Sequence, residues 1–143
     1  MNITIYTDGA CSGNPGVGGW GAVILIADNK PIHISGGLIL TTNNQMELTA
    51  AIKSLEYFEN YKEIEIITDS KYVMNGILNW INNWKKNGWK TASKKPVKNK
   101  ELWVKLDILL SKHKVNWKWV KGHSGNNNNE TADYLARKFI EEN

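Results

Sequence analysis

Glu63-Ile64-Glu65-Ile66-Ile67-Thr68-Asp69-Ser70-Lys71-Tyr72-Val73-Met74 changes from a strand-like to a helix-like pattern without any intervening loop. Glu63–Thr68 reads as a strand, and Asp69 or Ser70 stands where a helix cap belongs, ahead of a helix expected to run to about Trp80. A strand delivered straight into a helix is the unit from which sheets with helical crossovers are built. Upstream lie three further strand patterns, at residues 2–8, about 20–27 and 32–40, the last interrupted by Gly36-Gly37. Turn-rich Ser12–Gly19 and Asp28–Pro31 separate them, so they are expected to form an antiparallel meander.

Between the meander and residue 63, Thr42-Asn43-Asn44-Gln45 matches the capping box, and Leu48, Ala51, Ile52, Leu55 and Phe58 follow as a helical apolar stripe. Downstream, residues 81–99 are rich in Asn, Lys and Trp and read as a short helix and a loop. Glu101–Lys112 reads as a helix, Val115–Val120 as a fifth strand with Trp117 and Trp119 on one face. Ala132, Leu135, Ala136, Phe139 and Ile140 give a last helix its apolar face, after an asparagine run at 126–129. The class expected is α/β, a mixed sheet flanked by helices.

A chain of 143 residues with 41% hydrophobic and 22% charged residues is expected to fold as a single domain over its whole length. Its longest apolar run, Ala22–Ala27, falls far short of the roughly 20 residues of a membrane helix. Strand pattern starts at once, with no basic region or apolar signal core ahead of it, and Cys11 is the single cysteine. No internal disulfide is possible, and a reducing, cytoplasmic location without membrane association is expected. Cys11 itself reads as structural.

The net charge of +4 conceals a separation. Residues 70–100 contain eight lysines and no acid, which leaves 10 basic and 14 acidic residues, net −4, for the remainder. An acidic body with one strongly basic segment points to a polyanion held by one part of the surface. Lys85, Lys86, Lys94 and Lys95 are the candidate phosphate contacts, and Trp89 a candidate stacking residue, while Trp80 and Trp84 read as packing. Seventeen of the 18 basic residues are lysine, which favours point-charge contacts over bidentate ones.

Four carboxylates stand at handovers between elements: Asp8 at the end of the first strand, Asp69 at the end of the fourth, and Glu47 and Asp133 in first helical turns. Singly, each is explained by a turn, a cap or the helix dipole. Together on one rim of the sheet, they would repel unless protonated or bound to cations, and all-oxygen donors suit Mg2+ or Mn2+. Such a site serves phosphodiester hydrolysis. His123, in the Gly-flanked segment Val120–Gly125, has the setting of a proton shuttle, whereas His33 and His113 read as structural. Asn14, Thr42, Asn43, Asn44 and Gln45 form a polar cluster able to donate to phosphate or ribose oxygens. Glycine-rich 13–19 is not a nucleotide-type phosphate loop, since it lacks the terminal Gly-Lys-Ser/Thr and joins strands.

Tyr6–Ala10, Gly13–Gly16, Thr41–Leu48, Ile67–Ser70, Val120–Gly125 and Asn129–Asp133 closely resemble the blocks of type 1 ribonuclease H, in order along the chain. Trp84–Ala92 and Lys94–Asn99 are similar to the basic protrusion of its bacterial branch, here at about 81–99. A run of asparagines at 126–128 departs from that branch, whose members often carry other residues there. The resemblance implies a ribonuclease H-like fold, a five-stranded mixed sheet of three antiparallel strands continuing into two parallel ones. It implies an endonuclease that hydrolyses the RNA strand of RNA–DNA hybrids, leaving 5′-phosphate and 3′-hydroxyl ends. By matching positions, Asp8, Glu47, Asp69 and Asp133 are expected to hold one or two Mg2+ ions, with Mn2+ able to substitute and Asp8 as a bridging ligand. His123 is expected to assist proton transfer or product release. Asn14, Asn43, Asn44 and Gln45 are expected at the 2′-hydroxyls of the RNA and Thr42 at a DNA phosphate. A monomer is expected. A non-enzymatic hybrid-binding module and a related metal nuclease of integrase or resolvase type remain as alternatives.

Overall fold

The computed structural model describes residues 2–122 and 125–143. Five strands, β1 (Ile3–Ser12), β2 (Gly16–Ile26), β3 (Ile32–Thr41), β4 (Glu63–Thr68) and β5 (Lys114–Trp119), form one sheet in the order β3-β2-β1-β4-β5. The first three pair antiparallel and the last two join β1 in parallel, as expected. Helices α1 (Asn43–Glu56) and α4 (Lys100–Lys112) share a core with one face, where Ile3, Ile5, Ile24, Leu48, Leu55, Ile66, Trp103 and Leu106 are buried. Helix α5 (Asn127–Glu142) covers the other face through Ala132 and Leu135 against Val23.

Three expectations about the strands need correction. β1 does not end at Asp8 but continues to Ser12, paired throughout with β2. The parallel neighbour β4 stops earlier, at the Thr7–Thr68 pair, so Asp8 sits mid-strand yet just past the end of the parallel ladder. Glycines 16, 18 and 19, read as turn, belong to β2, and Gly36-Gly37 do not interrupt β3. Cross-strand pairing and packing override the local preference of glycine for turns.

The helices also differ in detail. Glu47 is the fifth residue of α1 and Asp133 the seventh of α5, one turn deeper than the first turns expected. The dipole of a helix end acts within one turn, so it does not account for either carboxylate. Thr42 caps α1 by accepting from the Gln45 backbone N–H at 3.2 Å. The Gln45 side chain, however, is taken by Thr41 and Asn99 instead of closing the box. Phe58 lies beyond the helix end but is buried with its stripe. Ser70 caps the helix α2 (Lys71–Asn75), which passes through a π-helical turn at Gly76–Trp80 into α3 (Ile81–Lys86). A Cβ on Gly76 would run into the Trp103 ring, so the bare glycine lets this path lie against α4.

Candidate active site

The register of the sheet sets the first pair of carboxylates. Thr7 pairs with Thr68 at the last rung of the parallel ladder, so Asp8 and Asp69 are the next residues on adjacent strand paths. Parallel strands run about 4.8 Å apart, which by itself brings the two residues together. Glu47 arrives from α1 because Gly9 is bare: a Cβ there would meet the Glu47 backbone nitrogen at 2.5 Å. Asp133 arrives from α5 because Gly21, the cross-strand partner of Asp8, is bare too. A Cβ on it would stand 2.6 Å from the Ala132 carbonyl oxygen.

Carboxylate oxygens of Asp8, Glu47 and Asp69 lie within 4.8 Å of one another. Asp133 lines the same cleft, which has a volume of about 370 Å³ and is also bordered by Gly9, Asn43, Asn44, Ser70, Lys71 and Tyr72. Asp133 is near enough for its charge to act on Asp8. Its outer oxygen accepts from Arg137 Nε at 3.0 Å, one turn along α5. Asp8 and Glu47 are each 6% exposed.

Burial, then the charge of Asp69, pushes the Asp8 carboxyl up to about 8, with Asp133 adding to the rise and the Gly9 N–H, 2.9 Å from Asp8 Oδ1, opposing it. Burial also holds Glu47 well above the usual carboxylate range, with Asp8 and then Asp69 reinforcing it. Glu47 Oε1 is buried and has no hydrogen-bond partner among the described residues. A buried acceptor left unmatched is costly. A carboxylate, oxygen-only group that becomes anionic only at a cost in this buried setting is the donor set of a hard divalent cation, and the residues present fit that ion.

The polar cluster assembles around the start of α1. Asn14 Oδ1 accepts from the Asn43 backbone N–H at 3.0 Å, tying the β1–β2 turn to the helix start. Asn43 and Asn44 line the cleft. Gln45 Nε2 donates to Asn99 Oδ1 at 3.2 Å, and Asn99 Nδ2 donates to the Tyr72 hydroxyl, which also receives the Trp103 indole N–H, both at 3.0 Å. Nothing in the sequence singles out Asn99 or Tyr72. An Asn just before a helix reads as its cap, but Asn99 is left-handed at φ 60° and makes no capping bond. Its side chain joins elements whose proximity only the fold creates.

In the basic segment, Lys86, Lys94 and Lys95 are exposed, while Lys85 is ion-paired with Asp107 of α4 at 3.3 Å. Trp89 leans on Trp84 with ring centroids 6.4 Å apart, and Trp80, Trp84 and Trp89 all pack against the main core. His123 lies outside the described residues. A Cβ on Gly122 would stand 2.8 Å from Asp69 Oδ2, so Gly122 itself lies directly beside the carboxylates. His113 is buried and accepts from the Lys62 backbone N–H through Nδ1, and His33 is exposed on β3. No helix among the described residues is long and apolar enough to cross a membrane.

The family model for RNase H matches residues 1–141. The Ribonuclease H of Francisella philomiragia subsp. philomiragia is 60% identical over 141 residues, covering 99% of this chain and 92% of that one. Among solved structures, LC9-RNase H1, a type 1 RNase H with the type 2 active-site motif, matches with a TM-score of 0.85 at 29% identity, over 96% of this chain and 71% of that one. LC11-RNase H1, solved in complex with RNA/DNA hybrid, matches with a TM-score of 0.72 at 25% identity, over 98% and 97%. With its sheet order, its carboxylate group and these likenesses in agreement, the chain belongs to the type 1 RNase H family.

Proposed function

We propose that this chain is a divalent-metal-dependent endonuclease that hydrolyses the RNA strand of RNA–DNA hybrids, leaving 5′-phosphate and 3′-hydroxyl ends. The observation that carries the reading is the group formed by Asp8, Glu47 and Asp69, whose oxygens lie within 4.8 Å while Glu47 Oε1 is buried and unpartnered among the described residues. Membership of the family and the hybrid bound to LC11-RNase H1 supply the substrate class. Mg2+ is the ion proposed, with Mn2+ able to substitute, in one or two copies. A divalent cation held there supplies Lewis acidity toward the phosphoryl group and acidifies water at neutral pH.

The chain's own residues do the rest. Asp8, Glu47 and Asp69 would hold the ion and Asp133 would add a fourth carboxylate, its Oδ2 bonded by Arg137. Without a cation Asp8 keeps its proton to about pH 8, and cation binding releases it. Asn43 and Asn44 border the carboxylates, Asn14 is bonded to Asn43, and Gln45 follows along α1 with its side chain on Thr41 and Asn99; these four are the residues assigned to the 2′-hydroxyls that mark RNA as the strand to be cut. Thr42 takes a DNA phosphate. The protrusion at 81–99 supplies sequence-independent phosphate affinity through Lys86, Lys94 and Lys95, with Lys85 at its root and half-buried Trp89, packed on Trp84, as the stacking residue. His123, where the sequence places it, accepts or relays a proton.

The protein acts as a single-domain monomer in the cytoplasm, in keeping with its lone cysteine. The decisive experiment is cleavage of an RNA–DNA hybrid, duplex DNA and duplex RNA, each with and without Mg2+. Cleavage of the hybrid's RNA strand only when Mg2+ is present is expected. Cleavage of duplex DNA alone, or hybrid binding with no cleavage under any metal, would overturn the reading.

A further inference from the structure

The end of β5 carries an exposed indole whose contacts lead to the carboxylate cleft. Trp119 is 40% exposed and pairs in register with Thr68, the last residue of β4. Its Nε1–H donates to the main-chain carbonyl of Asp69 at 3.0 Å. Its ring lies beneath the Lys71 ammonium, 5.5 Å from ring centroid to Nζ. Asp69 and Lys71 both border the cleft, on either side of Ser70, the cap of α2.

The placement matters because the ladder ends one residue too early. β4 and β5 pair as far as Thr68 and Trp119, and the Val120 N–H closes the edge on the Thr68 carbonyl at 2.9 Å. Asp69 therefore falls between the last rung of the sheet and the first turn of α2. The indole bond spans that interval from the neighbouring strand. The same ring offers Lys71 a cation–π seat, an arrangement that holds a cation best where water is partly displaced.

We propose that Trp119 is a positioning residue for the metal cleft: its indole N–H fixes the Asp69 main chain so that the carboxylate meets the ion, and its ring face holds Lys71 at the rim. This inference rests on the metal-dependent reading above. Groups that orient metal ligands commonly change metal affinity by about 10- to 100-fold when removed.

Trp119→Phe keeps an aromatic face for Lys71 and deletes the donor. Trp119→His restores a donor at the same number of bonds from Cβ, since imidazole Nε2 and indole Nε1 occupy equivalent ring positions. Mn2+ binding to the whole chain, read from the paramagnetic resonance of the free ion, is measured alongside the Mg2+ dependence of hybrid cleavage, the KM for hybrid and the thermal midpoint. For Trp119→Phe, Mn2+ affinity is expected to fall by about tenfold or more, with the Mg2+ requirement rising in parallel and the KM for hybrid unchanged. Trp119→His is expected to recover most of the loss. Wild-type Mn2+ affinity in Trp119→Phe would overturn the role. So would equal losses in both variants, or losses that follow the thermal midpoint alone. A wild-type chain that binds no Mn2+ would instead overturn the metal reading on which the inference depends.

Discussion

The backbone nitrogen of Glu47 lies 2.5 Å from the point a Cβ on Gly9 would occupy, so α1 meets β1 with no side chain between them. That close approach delivers Glu47 to Asp8. Gly9→Ala is expected to push α1 outward and cost about 1–3 kcal/mol, the usual range for overpacking. Activity should fall more than stability at temperatures where the variant stays folded, because the displaced residue carries a carboxylate. Urea melts and hybrid-cleavage rates on the same preparation check this; a variant that loses stability but keeps full activity would contradict it.

The raised pKa values of the buried carboxyls give a pH signature for the metal-free protein. Asp8 moves from 3.8 to about 8, and Glu47 moves in the same direction. Between those values the folded state holds protons that the unfolded chain releases, so the contribution is full below 3.8 and is lost as pH rises through about 8. With chelator present, the thermal midpoint is expected to decline from about pH 5 to about pH 9. Saturating Mg2+ should raise it most at the alkaline end, where a concentration a hundredfold above Kd adds about 2.7 kcal/mol of stability. A metal effect of equal size across the range would argue against the buried carboxyls as its source.

Asp8→Asn separates function from stability. Removing one carboxylate relieves its neighbours of a charge they do not favour, so the metal-free variant is expected to be more stable than wild type at pH 8. Its cleavage activity should drop by at least about 100-fold. Calorimetry in chelator, paired with the cleavage assay, tests the opposite signs together.

Charge on the protrusion should show in the salt dependence of hybrid binding. Replacing Lys86, Lys94 and Lys95 with Gln is expected to reduce the slope of log K against log salt by up to about 0.9 for each phosphate that is no longer neutralised. Lys85, already paired with Asp107, should contribute less than any of the three. Binding titrations across a salt series would reveal an unchanged slope, which would remove the protrusion from the interface.

Thr42→Ala removes the side chain that caps α1. About 1 kcal/mol of stability should go with it, measurable by chemical denaturation. Because the same helix start carries Asn43 and Asn44 at the cleft, the KM for hybrid is expected to rise as well.

Much of this molecule is legible in residue order. Period-two runs, a capping box and helical stripes mark the strands and helices, because these patterns express local preference and the burial of one face. The same holds for the basic segment, whose charge separation needs no fold to be visible, and for the choice of carboxylates, which the family blocks identify. What residue order does not express is where each element meets another. Asp8 reads as a strand end because its alternation stops, yet β1 runs on, and only the shorter length of β4 makes Asp8 a rim residue. Gly9 reads as half of an Asp-Gly turn and Gly21 as an ordinary strand residue, but both are bare docking points for a helix. Gln45 and Lys85, free by sequence, are engaged by Asn99 and Asp107 from far along the chain. Local pattern is set by a residue's near neighbours, whereas a site made of oxygens within 4.8 Å is set by strand register and helix docking, and those are decided only when the core closes.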